Sequence, residues 1–205
     1  MRNRTEDQIR LVMIRHGATE SNREHRYLGR TDEGLSEEGS NFLWDSVRQG
    51  GYPQVDILFS SPMKRCLETA RILYPGVQNI SIPEWREIDF GTFEGKNYIE
   101  LQGDVRYQQW IDSNGTLPFP EGESREAFIV RSDIGYCTMR ERLQQLGQTQ
   151  RIKTVGMIVH GGTIMSLLSL YHGGAYFDYQ VPNGGGYICT LDNLKEPAIT
   201  ELVKL

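Results

Sequence analysis

The sequence predicts an α/β fold: a three-layer sandwich in which a mostly parallel central sheet carries helices on both faces and a small inserted cap. Three observations lead there. Three short apolar runs each stop abruptly at charged or small polar residues, and helical patterns follow at least two of them, the alternation expected of a parallel sheet. The chain has 205 residues, 38% hydrophobic and 24% charged, which suits one domain spanning residues 1–205. A chain of this size hides roughly 70% of the surface it would expose unfolded, so its core needs no metal or disulfide. Finally, glycine and proline gather between Trp85 and Gly122, as expected of an inserted cap over about residues 86–123.

The first strand is Ile9 to Ile14, whose unbroken Leu11-Val12-Met13-Ile14 run reads as buried on both faces. It ends in Arg15-His16-Gly17. Ser36 with Glu37 and Glu38 opens a helix that buries Phe42, Leu43 and Val47 and stops near Gly50-Gly51. The second strand, Val55 to Phe59, ends in Ser60-Ser61-Pro62. Ser61 reads as the cap of the next helix and Pro62 as part of its first turn. Met63, Cys66, Leu67, Ala70, Leu73 and Tyr74 then recur at helical spacing, with Arg65 near the start.

The cap interval holds Gly91, Gly95, Gly103 and Asn114-Gly115, with Pro118 and Pro120 beyond and short helical pieces such as Val105 to Ile111. Ser124 to Leu146 reads as a helical region with Phe128, Cys137, Met139, Leu143 and Leu146 turned inward and Gly147 as its stop. Its imperfect periodicity admits a break. The third strand, Val155 to Val159, leads into His160-Gly161-Gly162-Thr163 and a helix from Ile164 to about Leu170. Gly186 to Leu191 and Ala198 to Val203 are β-rich runs around a turn at Asp192-Asn193.

Twenty-two Lys and Arg against 27 Asp and Glu give a net charge of -5, and no basic run tracks a nucleic-acid backbone, so a dedicated DNA or RNA binder is disfavoured. The first ten residues are mostly polar, and the longest nearly apolar stretch, Ile164 to Tyr171, is too short to cross a bilayer. Three separated cysteines, Cys66, Cys137 and Cys189, argue against a disulfide framework and for a reducing compartment, where they serve as small buried apolar side chains. The expectation is a soluble, unexported, cytoplasmic protein without membrane or nucleic-acid partners; a homodimer is left open.

In open α/β sheets, ligands bind beyond the carboxyl ends of the strands, where helix N-termini offer N–H groups and partial positive charge. The three junctions then bring Arg15, His16, Arg65 and His160 to one crevice. Two guanidiniums and two imidazoles suit a phosphate dianion, which accepts from two planar forks and further donors. Singly, each has a plainer structural reading, and convergence is what favours function. His25, in a polar loop, His172, at a helix C-terminus against the last carbonyls, and Glu121 and Glu123, as surface charges, keep the plainer reading.

Other phosphate chemistries lack their residues. A cysteine phosphatase needs Arg six positions after Cys, where Cys66, Cys137 and Cys189 meet Ile72, Leu143 and Lys195. There is no Gly-Lys-Ser/Thr phosphate loop and no His-Glu-x-x-His zinc spacing. A histidine nucleophile remains, neutral near pH 7 because its ordinary pKa is roughly 6.5 and able to take a phosphoryl group without metal or cofactor.

Arg15-His16-Gly17-Ala18-Thr19-Glu20-Ser21-Asn22 resembles the Arg-His-Gly-x-Thr-x-x-Asn signature of the histidine phosphatase, or phosphoglycerate-mutase-like, superfamily. Further matches follow in the family's order: Gly29, Asp32, Leu35 and Gly39; Ser60 to Arg65 with Thr69-Ala70; Glu87 with Phe90-Gly91 and Glu94-Gly95; Gly122-Glu123-Ser124; and His160-Gly161-Gly162. The resemblance implies a metal-independent phosphomonoesterase. His16 is its nucleophile, Arg15, Arg65 and His160 hold the phosphoryl oxygens, Asn22 and Gly161 help bind substrate, and Glu87 is the general acid, with Asp89 and Glu84 as nearby rivals.

Mutases of the family place an arginine directly after the acid glutamate, where this chain has Ile88, and paired arginines in the cap, which Arg106 to Thr116 lacks. Hydrolysis is therefore favoured over a phosphoglycerate mutase. Residues Arg26 to Glu33 and Arg86 to Gly95 are similar to bacterial α-ribazole phosphatases, implying α-ribazole 5'-phosphate, a small-molecule phosphate monoester of cobalamin nucleotide-loop assembly, as substrate. Trp85, Phe93, Tyr98, Tyr107, Trp110 and Phe119 could stack on an aromatic base, though packing of the insertion is the expectation for most. A broad sugar-phosphate phosphatase, a non-catalytic phosphate-binding module and a phosphodiester-cleaving histidine pair are the alternatives.

Overall fold

The computed structural model describes residues 8–191 and 198–205, within which six strands form one sheet. They are β1 (Ile9–Arg15), β2 (Ile57–Ser60), β3 (Asn79–Ser81), β4 (Thr154–Val159), β5 (Gly186–Leu191) and β6 (Ile199–Lys204), in the spatial order β3-β2-β4-β1-β5-β6. β3, β2, β4 and β1 pair in parallel, β5 runs antiparallel to β1, and β6 antiparallel to β5. The sheet is thus mostly parallel, as the apolar runs predict. The turn expected at Asp192-Asn193 lies outside the described residues.

Register decides what meets at the carboxyl edge. Arg15 lies opposite Val159 and Ser60 opposite Ile158, so the residues that follow, His16, Ser61 and His160, emerge side by side. β4 sits between β1 and β2, which brings segments far apart in sequence into contact.

Because successive strand residues point to opposite faces, a continuous apolar run feeds two cores. Leu11, Met13, Ile57, Phe59, Val155 and Met157 join Met139, Leu143, Ile164 and Leu167 on one face. Val12, Ile14, Leu58 and Ile158 join Leu43, Cys66, Ala70 and Leu73 on the other. Each fully buried Val, Leu, Ile, Phe or Met among them contributes roughly 1.5–3 kcal/mol relative to exposure.

The helices are α1 (Glu20–Arg23), α2 (Glu37–Arg48), α3 (Lys64–Leu73), α4 (Val105–Asp112), α5 (Arg125–Leu146) and α6 (Gly161–Tyr171). Ser36 caps α2 by accepting from Gly39 N at 3.0 Å, and the inward row is Gly39 and Leu43. Phe42, expected inside, is 56% exposed because it lies off that row. Ser61 does not cap α3. The helix begins at Lys64 with Met63 at the cap position, and the Ser61 hydroxyl turns to His160 instead. α6 starts three residues earlier than expected because the Gly161-Gly162 pair forms its first turn.

α5 is one unbroken helix of 22 residues, not two pieces. Its weak periodicity has a physical cause: Ser132 and Gly135 lie on the inward face, where the buried indole of Trp85 packs. A Cβ on Gly135 would stand 2.5 Å from Trp85 Nε1, and that indole donates to Ser132 O at 3.2 Å. Phe128, Met139 and Leu143 point inward as expected, whereas Cys137 is half-buried.

Between Arg86 and Glu123 the chain folds over its own small core of Ile88, Phe93, Leu101 and Phe119, with Phe128 of α5 and with Tyr27, Phe90, Tyr107 and Trp110 against it. Trp85, Phe93 and Phe119 are buried packing residues, while Tyr98 is exposed. Among the described residues, no helix is long and apolar enough to cross a membrane.

Candidate active site

The strand edge delivers four cationic or imidazole side chains into one buried cluster. Arg15 ends β1 and donates through Nη1 to Val181 O at 2.9 Å. His16 follows, 3% exposed, with Nδ1 2.7 Å from Gly17 O. A carbonyl only accepts, so Nδ1 carries the hydrogen and Nε2 keeps its lone pair. Arg65, in the first turn of α3, is fully buried and donates to Thr31 O at 3.0 Å and Gly29 O at 3.1 Å.

His160, between β4 and α6, lies with its ring centroid 5.1 Å from that of His16. Its Nε2 is 2.8 Å from Ser61 Oγ and its Nδ1 is 3.8 Å from Glu87 Oε2. Arg15 Nε, Arg65 Nε and His160 Nδ1 are buried without a hydrogen-bond partner among the described residues. Such orphaned donors call for an explanation, and a multiply accepting anion provides one.

Glu87 joins the cluster through its carboxyl, whose Oε1 accepts from Ile88 N at 3.0 Å. α6 can approach only because position 162 is glycine: a Cβ there would be 2.9 Å from Glu87 Oε1 and 2.8 Å from Phe128. Gly161 opens α6 beside Arg15, with free helix N-terminal polarity. Asn22 Oδ1 accepts from Thr19 N at 3.3 Å and from Asn183 Nδ2 at 3.0 Å.

Electrostatics separate the two titratable roles. Burial, then the positive charges of Arg65 and Arg15, hold His16 well below the ordinary histidine value, and burial with the same arginines and His16 does so for His160. Burial lifts the Glu87 carboxyl above the usual carboxylate range, against the pull of Arg65 and Arg15. Burial also lowers Arg15. The two shifts run in opposite directions, favouring the neutral imidazole at His16 and the protonated carboxyl at Glu87.

The rivals of Glu87 stand differently. Of these, only Asp89 is held by partners, pairing with Arg30 at 3.1 Å and accepting from Gly91 N at 3.0 Å; Glu84 is set apart by its place in the 3-10 turn Pro83–Trp85, where its Oε2 is buried without a hydrogen-bond partner among the described residues. Glu123, expected as a surface charge, instead accepts from Arg131 at 3.0 and 2.7 Å. That arginine also donates to the carbonyls of Glu84, Arg86 and Glu87, clamping the backbone that carries the acid. His25 is exposed in its loop, and His172 meets Ile199 O of β6 at 3.0 Å rather than the end of its own helix.

Beside the cluster opens a cavity of about 340 Å³. Arg15, Glu87 and Gly161 line it together with Tyr27, Phe90, Trp110, Phe119, Tyr176, Phe177 and Arg125. The Arg125 guanidinium lies 5.6 Å from the Tyr176 ring and 5.9 Å from the Phe177 ring, and its nearest carboxylate is Glu126 at 3.9 Å. Asn183, Arg125, Tyr176 and Phe177 are the residues that sequence reasoning missed. The only signal for Asn183 is a Pro-Asn-Gly turn, and nothing local distinguishes Arg125 from other helix-opening arginines.

The sequence model of the histidine phosphatase superfamily (branch 1) matches residues 11–196. A Hydrogenobacter thermophilus protein named provisionally as phosphoserine phosphatase 2 is 29% identical over 169 residues, 80% of this chain and 79% of its own. The 2,3-bisphosphoglycerate-dependent phosphoglycerate mutase of Neisseria gonorrhoeae is 26% identical over 91% of this chain and 97% of its own. An Escherichia coli K-12 crystal structure, named provisionally as an α-ribazole-5'-P phosphatase, superposes with a TM-score of 0.80 at 22% identity, covering 96% of this chain and 95% of that one.

Proposed function

This chain belongs to the histidine phosphatase superfamily, and from that premise we propose that it hydrolyses phosphate monoesters through a phosphohistidine on His16. The observation that carries the proposal is the buried cluster itself: His16, its Nδ1 held by Gly17 O and its other ring nitrogen free, lies 5.1 Å from His160, whose Nδ1 is 3.8 Å from a Glu87 carboxyl that burial shifts upward.

In this reading Arg15, Arg65, His160 and the backbone N–H of Gly161 hold the phosphoryl oxygens, and Asn22, anchored by Asn183, presents its amide hydrogens to them. His16 Nε2 forms a bond to phosphorus as the bond to the leaving oxygen breaks, and Glu87 gives that oxygen its proton. Water then takes the leaving group's place. Glu87, now a carboxylate, accepts the water's proton, the P–N bond breaks, and phosphate departs with His16 restored. The arginines act mainly where charge shifts on the transferring group, since phosphoryl transfer depends on positioning and electrostatics. The test is rapid acid-free quenching with labelled substrate: label on His16, stable to alkali, labile to acid and absent in His16→Ala, is expected.

For the leaving group, α-ribazole 5'-phosphate is the favoured substrate. The cavity wall is aromatic, with Trp110 and Phe119 stacked at 4.8 Å, a surface suited to a planar base. The residue range 86–123 would then act as the cap over that base. Mutase chemistry fits less well: Ile88 contributes an apolar wall, and Arg106 is tied to Asp104 at 3.1 Å. One observation favours a second reading, a leaving group bearing a carboxylate as phosphoserine does: Arg125 faces the cavity and, among the described residues, its paired carboxylate is Glu126 at 3.9 Å, beyond hydrogen-bond distance. A panel of α-ribazole 5'-phosphate, phosphoserine, 3-phosphoglycerate and sugar phosphates decides by kcat/KM. Equal or reversed preference against α-ribazole 5'-phosphate removes the first reading.

A further inference from the structure

We infer that Ser61 selects the tautomer of His160, donating its hydroxyl hydrogen to Nε2 so that Nδ1 bears the proton offered to the phosphoryl group. The inference rests on the phosphatase reading for its kinetic consequence only; the tautomer is a property of the protein alone.

Ser61 is completely buried, and its backbone is pinned by donation of its N–H to Ile158 O at 3.0 Å. Its Oγ accepts from Met63 N at 3.3 Å and stands 2.8 Å from His160 Nε2. A hydroxyl has one hydrogen to give. With Met63 already donating to the oxygen, the remaining question is which atom receives that hydrogen.

Two acceptors are within reach: His160 Nε2 and the sulfur of Cys66, which lies 3.7 Å from the same nitrogen and hydrogen-bonds with Ser61. An imidazole nitrogen is a strong acceptor and a thiol sulfur a weak one. Donation to Nε2 therefore wins. The Cys66 S–H, kept protonated because burial pushes the thiol up to about 12, adds a second weak donor toward Nε2.

The consequence falls on the other ring nitrogen. His160 Nδ1 is buried without a hydrogen-bond partner among the described residues and faces Glu87 Oε2 at 3.8 Å. A neutral imidazole whose Nδ1 were bare would turn a lone pair toward the phosphoryl oxygens and repel them. Ser61 converts it into a donor without requiring the ring to be charged. Ser61 is thus a positioning residue, acting on substrate through His160.

The experiment uses nitrogen-15-labelled full-length protein. Long-range proton–nitrogen spectra report the tautomer of each of the four histidines, with His160 assigned by His160→Gln. Wild type is expected to show Nδ1 protonated and Nε2 bare at His160. Ser61→Ala is expected to move that pattern toward Nε2–H and to lower kcat about 10-fold, with a smaller change in KM, whereas Ser61→Thr keeps both. A wild-type spectrum with Nε2 protonated overturns the inference whether or not Ser61→Ala folds, as does a Ser61→Ala enzyme with unchanged tautomer and turnover. Failure to trap phosphohistidine alongside the expected spectrum would instead overturn the catalytic reading and leave the tautomer supported.

Discussion

Replacing Glu87 by Gln keeps the side chain's shape and its acceptance of the Ile88 N–H while removing the transferable proton. The neighbouring contacts survive, since the space opposite Gly162 is filled by a group of equal size. Loss of a positioned general acid costs roughly 100- to 10,000-fold, or about 2.7 to 5.4 kcal/mol of barrier at 1.36 kcal/mol per tenfold. That cost should fall on substrates whose leaving group needs a proton, such as sugar or nucleoside phosphates. Nitrophenolate leaves without one, so phosphorylation of His16 from p-nitrophenyl phosphate should remain fast in Glu87→Gln. The second step still lacks its base. Stopped-flow absorbance should therefore show a burst of about one nitrophenol per protein followed by a slow phase. A single slow phase without burst, together with less than tenfold loss on alkyl phosphates, would refute the assignment of Glu87.

Arg65→Ala removes both guanidinium bonds to the carbonyls of Thr31 and Gly29 and a donor to the phosphoryl group; by analogy with loss of one oxyanion donor, kcat should fall about 100- to 1,000-fold in steady-state assays, and a fall below about tenfold contradicts the role. His16 and His160 bind protons less readily folded than unfolded, so their contribution to stability is present above the unfolded value of roughly 6.5 and is lost as pH falls toward their depressed folded values. Chemical denaturation followed from pH 7.5 to 5 should show falling stability in wild type and a shallower slope in His160→Gln. Gly135→Ala places a methyl 2.5 Å from Trp85 Nε1, which overpacking penalises by roughly 1–3 kcal/mol against about 1 kcal/mol of helix propensity gained, so the melting temperature should drop or hold but not rise. Turnover after dialysis against EDTA should be unchanged if catalysis runs through His16 alone; collapse with chelator and rescue by a divalent metal would exclude the metal-free route.

What could be read from the residues and what could not follow from the range of the forces involved. The abrupt ends of the runs at Ile14, Phe59 and Val159 are local signals, because a strand buried on both faces tolerates no charge until it leaves the sheet. They place His16, Arg65 and His160 at one edge before any coordinate is known. The orientation of Phe42 is decided by which row of α2 faces the sheet, and Leu43 and Gly39 take that row. Trp85 fills a socket on α5 some distance along the chain, so the gap in the helical pattern at Ser132 and Gly135 looks like a break until its occupant is seen. Glu123, Arg131, Asn183 and Ser61 take their roles from side-chain hydrogen bonds to particular partners, which leave no periodic trace.

β4 is wedged between two strands that precede it by much of the chain. On a ribosome, β1 and β2 emerge first and have no pairing to each other to form; they are joined only when residues 154–159 arrive. His160 comes with that insertion, so the two histidines meet only once β4 joins β1 to β2, and such non-local closure is intrinsically slow. The strand that joins the two halves of the sheet is also the one that carries the second histidine into place.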